Sequence, residues 1–211
     1  MQALILGSAA GGGLPQWNCG CSNCVKARLG KLQPQTQSSV AVSPDGNKWV
    51  LLNVSPDIRI QCLQRKQLHP RKIRSSPISS VILTNGDIDH IAGLLILREK
   101  TAFEIHATGE ILSILKNNEL FKALDPKLVL QKIIFPMETF SPVSGIFVTA
   151  YYVPGKVPLF RESGEIKTDL ESENTIGLEI SDGNKTLQYV PGCARITPEI
   201  LLRFKHSDHI L

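Results

Sequence analysis

The stretch Leu83-Thr84-Asn85-Gly86-Asp87-Ile88-Asp89-His90-Ile91-Ala92-Gly93-Leu94 constrains the fold more than any other part of this 211-residue chain. It continues from three consecutive apolar residues, Val81, Ile82 and Leu83, as in a strand covered on both faces. Such a strand needs a layer on each side, which implies an α/β architecture. Four polar side chains then follow in six positions before a helical pattern starts. In extended backbone, residues two apart point the same way, so Asn85 and Asp87 share a face. Asp89 and His90 close over them where the helix begins, and Gly86 removes a side chain at the tight turn. Asp87, Asp89 and His90 are therefore the candidate catalytic residues, and Asp89 and His90 the candidate ligands of an active-site metal. A simpler alternative stays open: Asp near a helix N-terminus is favourable in itself, so this can be a capping pair.

A second cluster is more specific. Cys19, Cys21 and Cys24, three of the five cysteines, fall within six residues around Gly20. The chain starts Met1-Gln2-Ala3-Leu4-Ile5-Leu6-Gly7, without the basic segment and apolar core of an export signal. The expectation is a cytoplasmic protein with reduced thiols, in which a disulfide framework is a poor explanation. Three sulfurs on one short loop can converge on a structural zinc ion, which takes four ligands. The fourth stays open among Cys193, His206, His209 and a residue beyond Leu211. Cys62 reads as a small core residue.

The rest of the chain reads as one domain over residues 1–211. With 42% hydrophobic and 20% charged residues it can bury a sizeable core. Its longest apolar run, Ile91-Ala92-Gly93-Leu94-Leu95-Ile96-Leu97, is far short of the ~20 residues of a spanning helix, so a membrane-embedded protein is not expected. The net charge is only +4. The cations of residues 65–74 lack interleaved aromatics, so they read as a solvated loop and no nucleic-acid partner is expected.

Residues 3–6 read as a buried strand leading into Gly7-Ser8-Ala9-Ala10-Gly11-Gly12-Gly13, a loop that lets backbone pass close to a site. Residues 38–42 and 48–54 flank the turn Pro44-Asp45-Gly46-Asn47, a hairpin. Ser55 and Pro56 open a helix, and another runs from residue 91 to about 100. Strands near 103–106, 129–134 and 145–153 and a helix near 110–117 follow. Residues 154–168, rich in Gly and Pro, read as a mobile loop over the site. A second hairpin spans 175–180 and 186–190, and residues 198–204 form a helix. The chain stops as an apolar run begins at Ile210, so the expectation is a piece of a longer fold.

Thr84, Asp89, His90, Gly93 and Leu94 match the metallo-β-lactamase superfamily signature Thr-His-x-His-x-Asp-His-x-x-Gly-Leu. Asn85 and Asp87 stand where its first two histidines would be. No histidine occupies Val153-Pro154-Gly155-Lys156-Val157, where the third would fall, and a later site loop reads Pro191-Gly192-Cys193. The glycine-to-cysteine segment, Gln35-Thr36-Gln37-Ser38-Ser39, Asn53-Val54-Ser55-Pro56-Asp57-Ile58-Arg59, Glu173-Asn174-Thr175 and Tyr189-Val190-Pro191-Gly192 resemble the PqqB family of pyrroloquinoline quinone (PQQ) biosynthesis proteins. The resemblance covers nearly the whole chain.

This resemblance implies an α/β fold, a metallo-β-lactamase-like αββα sandwich lacking its C-terminal part. It implies a role in making PQQ from a Glu and a Tyr of a precursor peptide, alongside the other PQQ biosynthesis proteins. Two roles follow for the family: iron-dependent hydroxylation of the tyrosine-derived ring, or soluble carriage of PQQ or its precursor toward the periplasm. It also implies that Cys19, Cys21 and Cys24 hold a structural Zn2+. Carboxylate and amide oxygens in place of imidazoles make a harder site, which favours Fe2+. Cations such as Arg59 and Arg98 are compatible with carrying polyanionic PQQ. A dizinc hydrolase is disfavoured, because its histidines are missing.

Overall fold

The computed structural model describes residues 1–164 and 167–211. Six strands form one sheet in chain order: β1 (Gln2–Gly7), β2 (Ser39–Ser43), β3 (Trp49–Leu52), β4 (Ile78–Ile82), β5 (Phe103–Ala107) and β6 (Val129–Ile133). The first three are antiparallel, and β3 to β6 run parallel. The second sheet contains β7 (Thr139–Val143), β8 (Ile146–Gly155), β9 (Leu170–Ser181), β10 (Thr186–Tyr189) and β11 (His209–Ile210), ordered β11-β10-β9-β8-β7. The helices are α1 (Ser22–Arg28), α2 (Ile58–Leu63), α3 (Ile88–Ile91), α4 (Gly109–Lys116) and α5 (Pro198–Lys205).

Alternation along the central strands builds the layers. Val40, Val42, Val50, Leu52 and Ile82 point into the core between the sheets, against Val148, Ile176 and Ile180. Their neighbours Ala41, Trp49, Leu51, Val81 and Leu83 point the other way, against Ile58, Ile111 and Leu115 of α2 and α4. Strands covered on both faces read as continuous apolar runs for this reason. On the far side of the second sheet, Ile200 and Phe204 of α5 pack on Tyr151 and Val153. The result is the expected αββα sandwich.

Several local expectations change. β1 is an edge strand, and Ile5 is 47% exposed; with a neighbour on one side only, it is half-covered rather than buried. Pro56 and Asp57 form a turn, closed by Ile58 N donating to Ser55 O, and the helix starts at Ile58. Ser55 still accepts from the Asp57 N–H. The helix expected over 91–100 is instead the single turn α3, followed by a 3-10 turn at Ala92–Leu95. Gly93 explains this: its N–H bonds Val54 O, and a Cβ there would lie 2.2 Å from Ser55 O. That contact clamps the chain onto the loop after β3 and stops a regular helix.

β7 was not expected from its mixed pattern; it stands at the edge of the second sheet. In the expected loop 154–168, Pro154 and Gly155 end β8 and Leu159–Arg161 is a 3-10 turn, while Glu165 and Ile166 lie outside the described residues. The expected strand start at the chain's end is β11, parallel to β10. Among the described residues, no helix is long and apolar enough to cross a membrane.

Candidate active site

The polar stretch after β4 lies where the two sheets meet. Asn85 forms a bridge to Thr175 of β9, and Ile176 N donates to Thr84 O. Behind it, Thr84 N and Oγ1 bond Asn53 Oδ1, while Asn53 Nδ2 donates to Thr84 Oγ1 at 2.9 Å and Tyr189 Oη at 3.3 Å. Asn53 is fully buried with φ 59°, a left-handed conformation that asparagine tolerates. This buried network ties β3, β4 and β10 together beneath the site.

Asn85, Asp87, Asp89 and His90 line one cleft of about 520 Å³, together with the glycine loop and the segment from Tyr189 to Gly192. Asn85 Oδ1 accepts from the Asp87 N–H at 3.0 Å and pairs with His90 Nδ1 at 2.7 Å. Because the backbone N–H can only donate, the Asn85 atom is its oxygen, and Nδ1 of His90 therefore carries the proton. The other ring nitrogen, Nε2, keeps its lone pair and lies 3.9 Å from Asp89 Oδ2. Burial lowers the His90 pKa, against the pull of Asp89 and Asp87, and so favours the neutral ring. Burial raises the Asp87 pKa, and His90 opposes this only in part.

The glycine loop does approach the site. A Cβ on Gly11 would lie 3.3 Å from Asp89 Oδ2. The loop is pinned by a relay that the sequence did not reveal: Gly12 N donates to Gln37 Oε1, and Gln37 N and Nε2 donate to Asp57 Oδ2. Gln37 and Asp57 lie in two of the segments that carry the resemblance. Gly86 packs closely too: a Cβ there would lie 2.2 Å from Ile114 Cδ1, so that side chain would have to move.

A smaller pocket of about 260 Å³ shares Asn85, Asp87 and Gly192 with the cleft and adds Lys156, Thr175 and Cys193. Sequence reasoning missed Lys156. Its position in the segment searched for a third histidine was the available signal. Arg59 and Arg98 instead line a separate groove of about 620 Å³ that shares no residue with the cleft.

The three cysteines come together as expected: the Sγ atoms of Cys19, Cys21 and Cys24 lie within 4.8 Å of one another, the one such group of three or more ligating side chains among the described residues. Arg28 holds their loop by donating to Cys19 O and Gln16 O, both at 2.6 Å. A hydrogen bond from the Cys24 backbone N–H, with help from Cys19, lowers the Cys21 pKa to about 7. Cys193, His206 and His209 stand outside that group: Cys193 lines the smaller pocket, His206 caps α5, and His209 pairs with Leu187. Cys62 is half-buried against the core, and burial pushes its thiol up to about 11.

A family model described as a beta-lactamase superfamily domain matches residues 48–211. The chain is 52% identical to coenzyme PQQ synthesis protein B of Rhizobium meliloti (strain 1021), over all of this chain and 70% of that protein. It is 49% identical to the protein of that name in Ruegeria pomeroyi, over all of this chain and 72% of the relative. The crystal structure of Zn(2+)-bound PqqB from Methylobacterium extorquens superposes with a TM-score of 0.97 at 50% identity, over 100% of this chain and 71% of that one. A diphosphatase of the PhnP family, at TM-score 0.70 and 21% identity over 99% of this chain and 71% of that one, shares the fold. With that identity across the whole chain and the superfamily fold around its cleft, the chain belongs to the PqqB family of coenzyme PQQ synthesis proteins.

Proposed function

We propose that this chain is an iron-dependent hydroxylase in PQQ biosynthesis, acting on the tyrosine-derived ring of a Glu-Tyr precursor. The observation that carries the reading is the fixed His90 ring. Its Nδ1–H is held by Asn85 and its Nε2 lone pair is free beside Asp89 in an open cleft. A neutral imidazole held from behind by an oxygen is the usual posture of a metal-ligating histidine. Imidazole and carboxylate are the two donor types of the non-haem Fe(II) triad, and His90 and Asp89 supply one of each. His90 and Asp89 hold the ion, which supplies the activation of dioxygen.

The remaining work falls to the protein. Asn85 fixes the imidazole tautomer. Asp87 lines the same cleft and is placed to take up the proton that leaves the ring on hydroxylation. Gly11 lets backbone approach Asp89 without a side chain intervening. Cys19, Cys21 and Cys24 hold a structural Zn2+ that fastens the N-terminal loop. The Zn2+ of the Methylobacterium extorquens structure supports metal binding in this family. The working setting is the cytoplasm, with the other PQQ biosynthesis proteins supplying the precursor.

The test is anaerobic loading with Fe(II), followed by dioxygen, a reductant such as ascorbate and a Glu-Tyr-derived substrate. One dioxygen is consumed per hydroxyl gained, with two electrons from the reductant carrying the second oxygen atom to water. Asp89→Ala reduces turnover at least ~100-fold, as expected for loss of a metal ligand. An iron-loaded protein that consumes neither oxygen nor substrate, with Asp89→Ala behaving the same, sinks the reading. Tight binding of PQQ without turnover then favours the carrier.

A further inference from the structure

The smaller pocket beside Asp87 has the chemistry of an anion-recognition subsite. Lys156 is the only lysine or arginine lining either it or the cleft among the described residues. Gly155 delivers it: a Cβ there would lie 2.6 Å from Thr175 Oγ1, and that hydroxyl donates to Lys156 O at 3.2 Å. The Lys156 ammonium pairs with Glu162, whose side chain is 11% exposed. An ammonium has three donors, so two remain after that pairing.

Asn85 supplies the second component. Its side chain borders both pockets, and the residue is only 6% exposed. Its oxygen is committed to Asp87 N and His90 Nδ1, which turns the NH2 group away from them. That nitrogen has no protein partner among the described residues, yet it is not a sealed, unsatisfied atom. It is available to whatever fills the pocket. A cation and an amide donor border the same pocket as Asp87, and donors of that kind match a carboxylate.

We propose that Lys156 and Asn85 form a subsite that grips a carboxylate of the substrate, orienting its ring toward Asp87, Asp89 and His90. Glu162 holds the lysine in place. This rests on the proposed substrate, a Glu-Tyr precursor that carries carboxylates beside its ring, and adds the specificity determinant for it.

PQQ, which carries three carboxylates, is the probe. Its Kd is measured by calorimetry for the metal-loaded wild type, Lys156→Gln, Lys156→Arg and the remote Lys122→Gln, with metal content determined in parallel. Lys156→Gln weakens binding about tenfold, as loss of a charge-assisted hydrogen bond predicts. Lys156→Arg retains most of the affinity, Lys122→Gln all of it, and metal content is constant. Adding salt weakens the wild type more than Lys156→Gln. Equal affinity in wild type and Lys156→Gln overturns the subsite, as does a wild type that binds no PQQ. Lysine-dependent binding in a protein that consumes no oxygen keeps the subsite and removes only the hydroxylase reading.

Discussion

Two cysteines in this chain differ in chemistry because of a few ångströms of surroundings. Cys21, exposed at the start of α1, has its thiol at about 7 because the Cys24 N–H bonds its sulfur. Cys62, half-buried against the core, sits at about 11 because burial penalises the thiolate. Thiolates, not thiols, bind metal and attack electrophiles. At pH 7.5 iodoacetamide is therefore expected to label Cys21 well ahead of Cys62 in metal-stripped protein, as read by peptide mass mapping. Zinc added first suppresses the Cys21 label. Equal labelling of Cys62, or no protection by zinc, contradicts the assignment. Both the cysteine spacing and the Asp89-His90 pair were legible in the sequence, since each is a local cluster. Lys156 was not, because its relation to Asp87 spans 69 positions and exists only once Thr175 of β9, which bonds Lys156 O, bridges to Asn85.

At the level of elements, the helix expected after His90 illustrates how tertiary contact overrides local pattern. Residues 91–97 are apolar and helix-compatible, yet the backbone breaks into α3 and a 3-10 turn. The cause is the approach of Gly93 to the carbonyls of Val54 and Ser55. Gly93→Ala places a methyl 2.2 Å from Ser55 O, and neither backbone can yield without moving the Asn53 network. The expected cost is about 1–3 kcal/mol, the usual range for overpacking, measurable as a lower midpoint in urea. A neutral Gly93→Ala variant shows that the clamp is slack. The hairpin turn at Asp45 is legible in the sequence for the opposite reason. Its carboxylate accepts from the N–H groups of Asn47 and Lys48, two and three residues on, so the signal is entirely local.

At the scale of the molecule, β5, β6 and β7 meet around a buried histidine that no local pattern announces. His106 on β5 bonds Glu104 at 3.1 Å, stacks on Phe140 of β7 at 5.2 Å between ring centroids, and has Lys132 of β6 near the same carboxylate. Burial lowers its pKa, with Glu104 opposing and Lys132 adding to the shift. His90 is lowered by burial as well. The unfolded chain therefore takes up protons first as pH falls through 6.5, the ordinary histidine value. Stability contributed by the neutral rings is present above that pH and is lost as pH falls toward the depressed folded values. The urea midpoint should fall between pH 7.5 and 5.5, and His106→Gln should fall less steeply. An identical slope in His106→Gln assigns the acid sensitivity elsewhere.

The amino-acid sequence by itself determined the layered α/β class, the two hairpins, the three-cysteine cluster and the Asp87-Asp89-His90 constellation. Each of these rests on alternation, turn chemistry or short spacing, which are properties of neighbouring residues. Only the tertiary structure decided that Asn85 turns its oxygen to His90 and its nitrogen outward, that Gln37 and Asp57 pin the glycine loop, and that Lys156 stands beside Asp87. Those arrangements join residues far apart in the chain. Their geometry follows from the bridge between Asn85 and Thr175 of β9 and from the packing of the two sheets, and short-range pattern carries no information about either.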